Sequence, residues 1–380
     1  NPYEAVITLK TPNTAFLDFM AAPYGPAMMS PTALAANAGS DNAQTYLQTH
    51  DIGTGPYTLT EAKVGVMYQM KAFPQYWGPK PYYTTINLPV VDNLSSEEIQ
   101  FNDGQLAAIM HDMTTSVIAQ YKAKSTVASY HLPTLMSETA YVNENKGFMT
   151  TPANRLALLE AINVPNLVAG IFPGRATVAD QAGPKGIIPE PYGKQHISYN
   201  PAKLKALVKT LSSSDKTFTV GYDTSASDDQ LLAEDVGAEL QADGLNTKVV
   251  GYQTSEIYGN IGNASATQGP STPNLLLDYF WPDTYNTYTW THISFDASGG
   301  LQYMNCDSVS NEEALNTQAV TTGSNADYNK AIENAVASGC WLNIADKQDA
   351  MVAQPWLKGI PEAHVVADPE MLYLNVLHPG

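Results

Sequence analysis

The stretch that most constrains this chain is Gly53 to Gly78, GTGPYTLTEAKVGVMYQMKAFPQYWG. Gly53 and Gly55 can reach backbone angles closed to other residues, and Pro56 holds its φ near one value, so the segment is expected to open on a rigid turn. Tyr57 to Thr60 and Val66 to Lys71 read as two short strands, which makes the turn the entry to a hairpin. Pro74, Tyr76, Trp77, Gly78 and Pro79 follow as an aromatic loop. The glycines do not form a phosphate cradle. A third glycine is missing from Gly53-Thr54-Gly55, and Pro56 lacks the N–H that a phosphate needs.

A hairpin of this size cannot stand alone, and 380 residues exceed what one core organises, so two lobes are expected. Around the hairpin, short apolar runs alternate with helical patterns. Ala5 to Leu9 predicts a strand, Ala15 to Ala22 a helical turn, and Met28 to Ala36 a helix opening at Ser30-Pro31. Ile86 to Val91 predicts an edge strand around Pro89. Ser95 to Gln105 carries a capped helix signature, Leu106 to Met110 a buried strand, and Thr114 to Ala123 a helix. Val127 to Leu132 and Glu138 to Asn143 read as two strands.

After Lys146, Asn154 to Gly170 reads as a helix interrupted at Pro165, and Ile171 to Tyr192 as an ordered loop. A helix from Asn200-Pro201 to Leu211, a strand at Thr217 to Tyr222, a helix from Asp228 to Asp243 closed by Gly244, and a strand at Thr247 to Tyr252 follow. That β-α-β alternation argues a mixed α/β lobe. Leu275 to Phe280 adds a strand; Asn311 to Thr317 and Ala326 to Ser338 add helices. Trp341 to Ala345 and His364 to Val366 are short apolar runs, and Leu372 to Leu377 closes the chain as a strand.

Charge narrows the function classes. Lys and Arg total 19 against 37 Asp and Glu, a formal net charge of −18. Such a balance argues against nucleic acid and anionic membrane surfaces as partners. No apolar run approaches the roughly 20 residues of a membrane helix. Two cysteines, Cys306 and Cys340, suggest one disulfide and an oxidising compartment, against the alternative of two separate buried thiols.

No catalytic signature stands out: there is no GxSxG elbow, HExxH, CxxC pair or P-loop. The seven histidines are scattered, with His111-Asp112 the one close His–carboxylate pair, so no metal site and no cofactor is expected. Asp228-Asp229 with Glu234-Asp235 reads as a solvated acidic helix start. The most suggestive run is DYFWPDTYNTYTW, Asp278 to Trp290, which gathers six aromatics around Asp278 and Asp283. Rings stack on a ligand and a carboxylate pairs with an amine or with hydroxyls, so this run is either a ligand mouth or an aromatic plug between lobes.

Several segments, in order, resemble the extracellular solute-binding proteins of family 5, the peptide, nickel and oligosaccharide receptors of ABC importers. AVITLKTPNTAFLDFMA resembles their opening strand and helix, and Gly53 to Gly78 is the most specific piece. Ile99 to Leu106 resembles a helix ending in S-G-x-x-D, with Ala107 where the acid usually stands. TAYVNEN, Thr139 to Asn145, matches a strand ending in F-N, with Asn143 at the Asn. Asn154 to Gly170 resembles V-R-x-A-L-x-x-A-I-D, with Arg155, Ala157, Leu158, Ala161 and Ile162 in register and Asn163 replacing Asp. Tyr199 to Lys203 resembles Y-D-P-x-K-A, Trp281-Pro282-Asp283 the D-Y-P-D-P ligand loop, and Pro355 to Gly359 the late V-x-P-x-V-x-G-Y.

The resemblance implies a periplasmic-binding-protein-like α/β clamp of two lobes (type II, cluster C-like). Lobe one would comprise 1–146 plus 343–380, and lobe two 147–342, with crossovers near Asn143 and Asn343 as the hinge. Family members carry a further stretch before the first match, so lobe one is expected to lack its N-terminal portion here, whether truncated or supplied by another chain. The implied function is a receptor for a small ligand, foremost an oligopeptide, captured between the lobes and delivered to ABC permease subunits. An oligosaccharide or a nickel chelate is the alternative. The receptor would be extracellular or in the cell envelope, periplasmic or lipid-anchored, monomeric and without catalysis. Ligand contacts are expected from Tyr141 and Asn143 at the hinge and from Tyr279, Trp281, Asp283 and Tyr285 in the ligand loop. In peptide binders an acidic residue in that loop holds the peptide's amino group. Phe280 takes that place here, and Asp278 and Asp283 are the nearest carboxylates. A secreted hydrolase would instead need two carboxylates facing across a cleft, and a sensor subunit a filled cleft.

Overall fold

A computed structural model describes residues 4–91, 93–110, 113–261, 272–296, 299, 306 and 311–380. The chain divides into two compact units. One is Asn1–Pro23 with Pro133–Asp349, and the other is Tyr24–Leu132 with Ala350–Gly380. The strands in chain order are β1 (Tyr57–Lys63), β2 (Met67–Ala72), β3 (Thr85–Pro89), β4 (Ala108–Met110), β5 (Ala128–Val142), β6 (Ala176–Val178), β7 (Thr217–Asp223), β8 (Asn246–Tyr252), β9 (Leu275–Phe280), β10 (Trp341–Ala353), β11 (Leu357–Lys358) and β12 (His378–Pro379). Two of the three boundaries between units fall inside β5 and β10, and the third lies between Pro23 and Tyr24. The units therefore divide earlier on β5 and later on β10 than the sequence reading placed its crossovers, and the first residues group with the larger unit.

In the larger unit the sheet order is β10, β5, β9, β7, β8, with β6 paired to β10. β7 pairs parallel with both β8 and β9, while β5 pairs antiparallel with β9. The parallel β7–β8 pair needs a crossover, which helix Ser227–Ala242 supplies by laying Leu232, Val236 and Leu240 on the sheet. Gly244 ends that helix at φ +104, a conformation that leaves a side chain strained. Leu275 and Leu277 of β9 enter the same core as Ala140 and Val142 of β5. Cys306 and Cys340 form the expected disulfide, with their Cα atoms 6.3 Å apart.

In the smaller unit β1, β2 and β3 form an antiparallel sheet whose strands contain no fully buried residue. The aromatic loop between β2 and β3 folds back on the opening turn. Trp77 Nε1 donates to Thr54 O at 3.2 Å, and the Phe73 N–H donates to Pro56 O at 2.8 Å. A separate core gathers Phe101, Ile109, Ile118 and Tyr121 around Val352, with the Phe101 and Tyr121 rings edge-on at 5.4 Å.

Four local expectations change. Ala5 to Leu9 is exposed and forms no strand, since none of the described residues pairs with it in a ladder. The two runs on either side of Pro133 are one strand, β5, with Pro133 at an exposed position. Trp341 to Ala345 is the start of the longer β10. Leu372 to Leu377 holds a 3₁₀ turn at Leu374–Val376 instead of a strand. The interrupted helix is two helices, Pro152–Leu159 and Val164–Ile171, with Pro165 in the first turn of the second, where its missing N–H costs nothing. Among the described residues no helix is long and apolar enough to cross a membrane. His111-Asp112 lies outside the described residues.

Candidate ligand-binding site

The aromatic run after β9 divides by strand alternation. Leu275, Leu277 and Tyr279 share one face of the sheet; Leu276, Asp278 and Phe280 share the other. On the second face Phe280 packs edge-on against Tyr141 and Tyr258, each with ring centroids 6.1 Å away. Tyr141 is fully buried, and burial first, then the charge of Asp278, pushes its hydroxyl well up. Asn143, also fully buried, spans the end of β5. Its Nδ2 donates to Pro273 O at 3.2 Å, and its Oδ1 accepts from the Asn145 N–H at 3.1 Å.

The loop beyond β9 is more open. Tyr279 and Trp281 are half-buried and stack, with centroids 6.1 Å apart and planes at 29°. Asp283 is exposed, and Tyr285 is 58% exposed. The Tyr285 hydroxyl lies beside Gly186, 3.1 Å from where a Cβ would stand, and the φ of +104 at Gly186 would strain any side chain there. The hydroxyls of Thr284 and Thr289 bond to each other and tie the loop to helix Thr287–Phe295. Inside that helix Trp290 is buried, its Nε1 donating to Ala182 O at 2.8 Å. One run thus supplies both a core plug, Phe280 and Trp290, and an accessible aromatic row, Tyr279, Trp281 and Tyr285. Tyr279, near the end of β9, stacks on Trp281 of the loop that also carries Asp283 and Tyr285, while Tyr141 and Asn143 are fully buried.

Beneath Tyr279 lies a charge network that the sequence reading missed. Lys347 of β10 is buried, with Nζ 2.9 Å from Glu138 Oε2 of β5 and 3.9 Å from Asp229 Oδ1. Burial alone would lower the Lys347 ammonium, but Glu138, Asp229 and Asp228 outweigh it and its pKa is raised. Nζ also faces two rings, Tyr279 at 4.2 Å and Phe172 at 5.2 Å. Arg175 pairs with Asp228. Asp229 is pushed well up by burial and then by the charge of Glu138; Asp278 is pushed well up by burial and then by Asp223. The Asp228-Asp229 helix start is therefore not solvated: both residues are buried against Arg175 and Lys347. No local signal marks this cluster, because its members lie on five separated segments.

A second missed pair lies farther along the helix. His292 Nδ1 meets Asp296 Oδ2 at 2.6 Å, and Asn316 Nδ2 bridges from Asp296 Oδ1 at 2.6 Å to Glu312 Oε1 at 3.4 Å. The i,i+4 spacing of His292 and Asp296 is the signal that could have found it. Near the disulfide, Glu144 and both cysteine sulfurs converge. Because those sulfurs are bonded to each other, they are not available as thiolate ligands.

Comparison with known proteins accords with this construction. The sequence description of bacterial extracellular solute-binding proteins, family 5 Middle, matches residues 1–300. The glutathione-binding protein GsiB of Shigella flexneri is 31% identical over 214 residues, covering 55% of this chain and 39% of that protein. The GsiB of Salmonella paratyphi A is 33% identical over 215 residues, with the same coverage. The chain thus spans well under half the length of the curated relatives it matches. Among solved structures, the periplasmic binding protein DppA of Helicobacter pylori in complex with the peptide STSA superposes with a TM-score of 0.80 at 18% identity, over 99% of this chain and 73% of that one. NikA of Brucella suis with Fe(III)-EDTA gives 0.80 at 18% identity, over 99% and 78%. A dipeptide-binding protein of Pseudoalteromonas with Met-Leu gives 0.81 at 15% identity, over 98% and 73%. At these identities the likeness shows the α/β binding-protein fold.

Proposed function

This chain belongs to the bacterial extracellular solute-binding proteins, family 5, and from that premise we propose that it captures a short peptide for an ABC importer. The observation that carries the reading is the open aromatic row Tyr279, Trp281 and Tyr285 with the exposed carboxylate of Asp283 at the end of β9. Stacked rings bind the faces of peptide bonds and apolar side chains, and a carboxylate at their edge suits a free amino group. Of the two carboxylates in the run, Asp283 is on an exposed residue, whereas Asp278 is buried on β9 and its pKa is raised. Tyr141 and Asn143 act in this reading as supports: Tyr141 backs Phe280, and Asn143 sets the turn leaving β5. Relatives named for glutathione, and structures holding short peptides, support this reading, in which the protein works outside the cytoplasm as a monomer with permease subunits and releases its ligand unchanged.

Isothermal calorimetry against glutathione, the dipeptide Met-Leu and the tetrapeptide STSA tests the reading. Saturable binding of at least one, weakened by Asp283→Asn, is expected. A chain that binds none of them, while Fe(III)-EDTA or a nickel–histidine chelate binds, has the chelate as its ligand instead. That second reading has its own support in the NikA likeness.

A further inference from the structure

The geometry points to Lys347 as the positioning residue of the aromatic row: its buried ammonium, held by Glu138 and Asp229, clamps the Tyr279 ring and through it sets the posture of Trp281. The inference rests on the proposed use of that row for ligand capture, but the clamp is argued from the strands alone.

Lys347, Glu138 and Tyr279 sit on three adjacent strands, in the order β10, β5, β9. The β5–β9 register sets Glu138 directly across from Tyr279. Adjacent strands lie about 4.8 Å apart, so β10 and β9 are separated by roughly 10 Å, a span that a lysine stem on one strand and a tyrosine ring on the other bridge together. The stem crosses over Glu138, and Nζ donates to Glu138 Oε2 at 2.9 Å while standing 4.2 Å from the Tyr279 ring. Phe172 faces the same ammonium at 5.2 Å, and Asp229 stands at 3.9 Å. The ammonium is thus fixed by two carboxylates and two rings. A cation over a ring face in a desolvated site is among the stronger aromatic contacts, and it holds the ring's orientation. Tyr279 carries that orientation outward, because the next ring in the row, Trp281, stacks on it. Packing alone would not choose this arrangement. A purely apolar side chain at 347 would fill the space, but it would leave Glu138 buried and unpaired.

The experiment reads Trp281 directly. Acrylamide quenching is measured in each background with and without Trp281→Phe, so that the difference isolates this indole from the other four tryptophans. Removing cation and partner together, Lys347→Met with Glu138→Gln, takes away one charge of each sign. The expected result is greater quenching of Trp281, retained cooperative unfolding, and peptide binding weakened about tenfold, the scale of one desolvated cation–π contact. Lys347→Arg, which keeps the charge, restores both. Unchanged Trp281 quenching in the folded double variant overturns the assignment. If that variant does not fold, Glu138→Gln alone carries the test: loosening the ammonium must raise Trp281 quenching, and no change there overturns it equally. Should the wild type bind none of glutathione, Met-Leu and STSA while Trp281 quenching shifts as expected, the clamp stands and the peptide reading falls.

Discussion

Glu312 offers a quantitative test of the larger unit. It opens helix Glu312–Thr322, with Oε2 accepting from Asn334 Nδ2 at 2.8 Å and Oε1 from Asn316 Nδ2 at 3.4 Å. Burial, opposed by Asn334 and reinforced by the charge of Asp296, raises its pKa from the ordinary 4.5 to about 8. The facing groups are Asn316, Asn334 and Asp296, and Asp296 carries His292 on its other oxygen. A carboxyl whose folded value lies above its unfolded value binds its proton more tightly in the fold. The stability it contributes is complete below about 4.5 and is lost as pH rises through about 8. Each pKa unit is worth about 1.4 kcal/mol, so the wild type gives up on the order of 1 kcal/mol by pH 5 and about 3 kcal/mol by pH 7. Glu312→Gln keeps the hydrogen-bonding shape without a titrating proton. Urea unfolding at pH 5, 6, 7 and 8 should show the variant gaining on the wild type by about 1 kcal/mol per pH unit. Other carboxylates titrate in both proteins and cancel in the difference. Parallel stability curves across this range would refute the reasoning, because they would mean that Glu312 ionises alike folded and unfolded.

Three further outcomes follow from the packing. Trp281→Ala should weaken peptide binding about tenfold with little loss of stability, whereas Trp290→Ala should cost about 3–5 kcal/mol in denaturant unfolding, since Trp290 is a buried side chain with a buried hydrogen bond. Arg155 is fully buried, with Nε on Ser338 O at 2.8 Å, Nη1 on Met149 O at 2.8 Å and the Glu144 carboxylate at 3.2 Å. Arg155→Met should therefore cost about 3–5 kcal/mol by urea unfolding, and adding Glu144→Gln should recover part of it by removing the stranded charge. Replacing Cys306 and Cys340 by serine opens a loop of sequence separation 34 and should lower stability by about 3–4 kcal/mol in the chain-entropy account, read as a lower Tm in calorimetry.

Much of this protein was written locally. Leu275 to Phe280 reads as a strand from its own apolar run and is one, as β9. The helix before Gly244 ends where a left-handed glycine must end it, and Pro165 opens its helix where a proline can stand. The Gly53–Gly78 hairpin forms on its own turn, with Trp77 folded back on Thr54. Expectations failed where a neighbour decided. Ala5 to Leu9 has strand composition but finds no pairing there, and β10 runs on past Ala345 because Asp346 to Ala353 still has strands to pair with.

The site divides along the same line. The residues from Asp278 to Trp290 determined by themselves that an aromatic, acidic loop follows an apolar strand. Which rings face outward and which form the core depended on alternation along β9 and on Ala182 receiving the Trp290 indole, a partner 108 residues away in sequence. The charges are the clearer case. Asp228 and Asp229 look like a solvated helix start because acids favour helix N-termini, and nothing local predicts that Arg175 and Lys347 will arrive to neutralise them. Strand and helix propensities act over a few residues and are legible in sequence. The pairing of Glu138, Asp229 and Lys347 depends on which strands become neighbours, and that adjacency is set only when the whole sheet closes on its core.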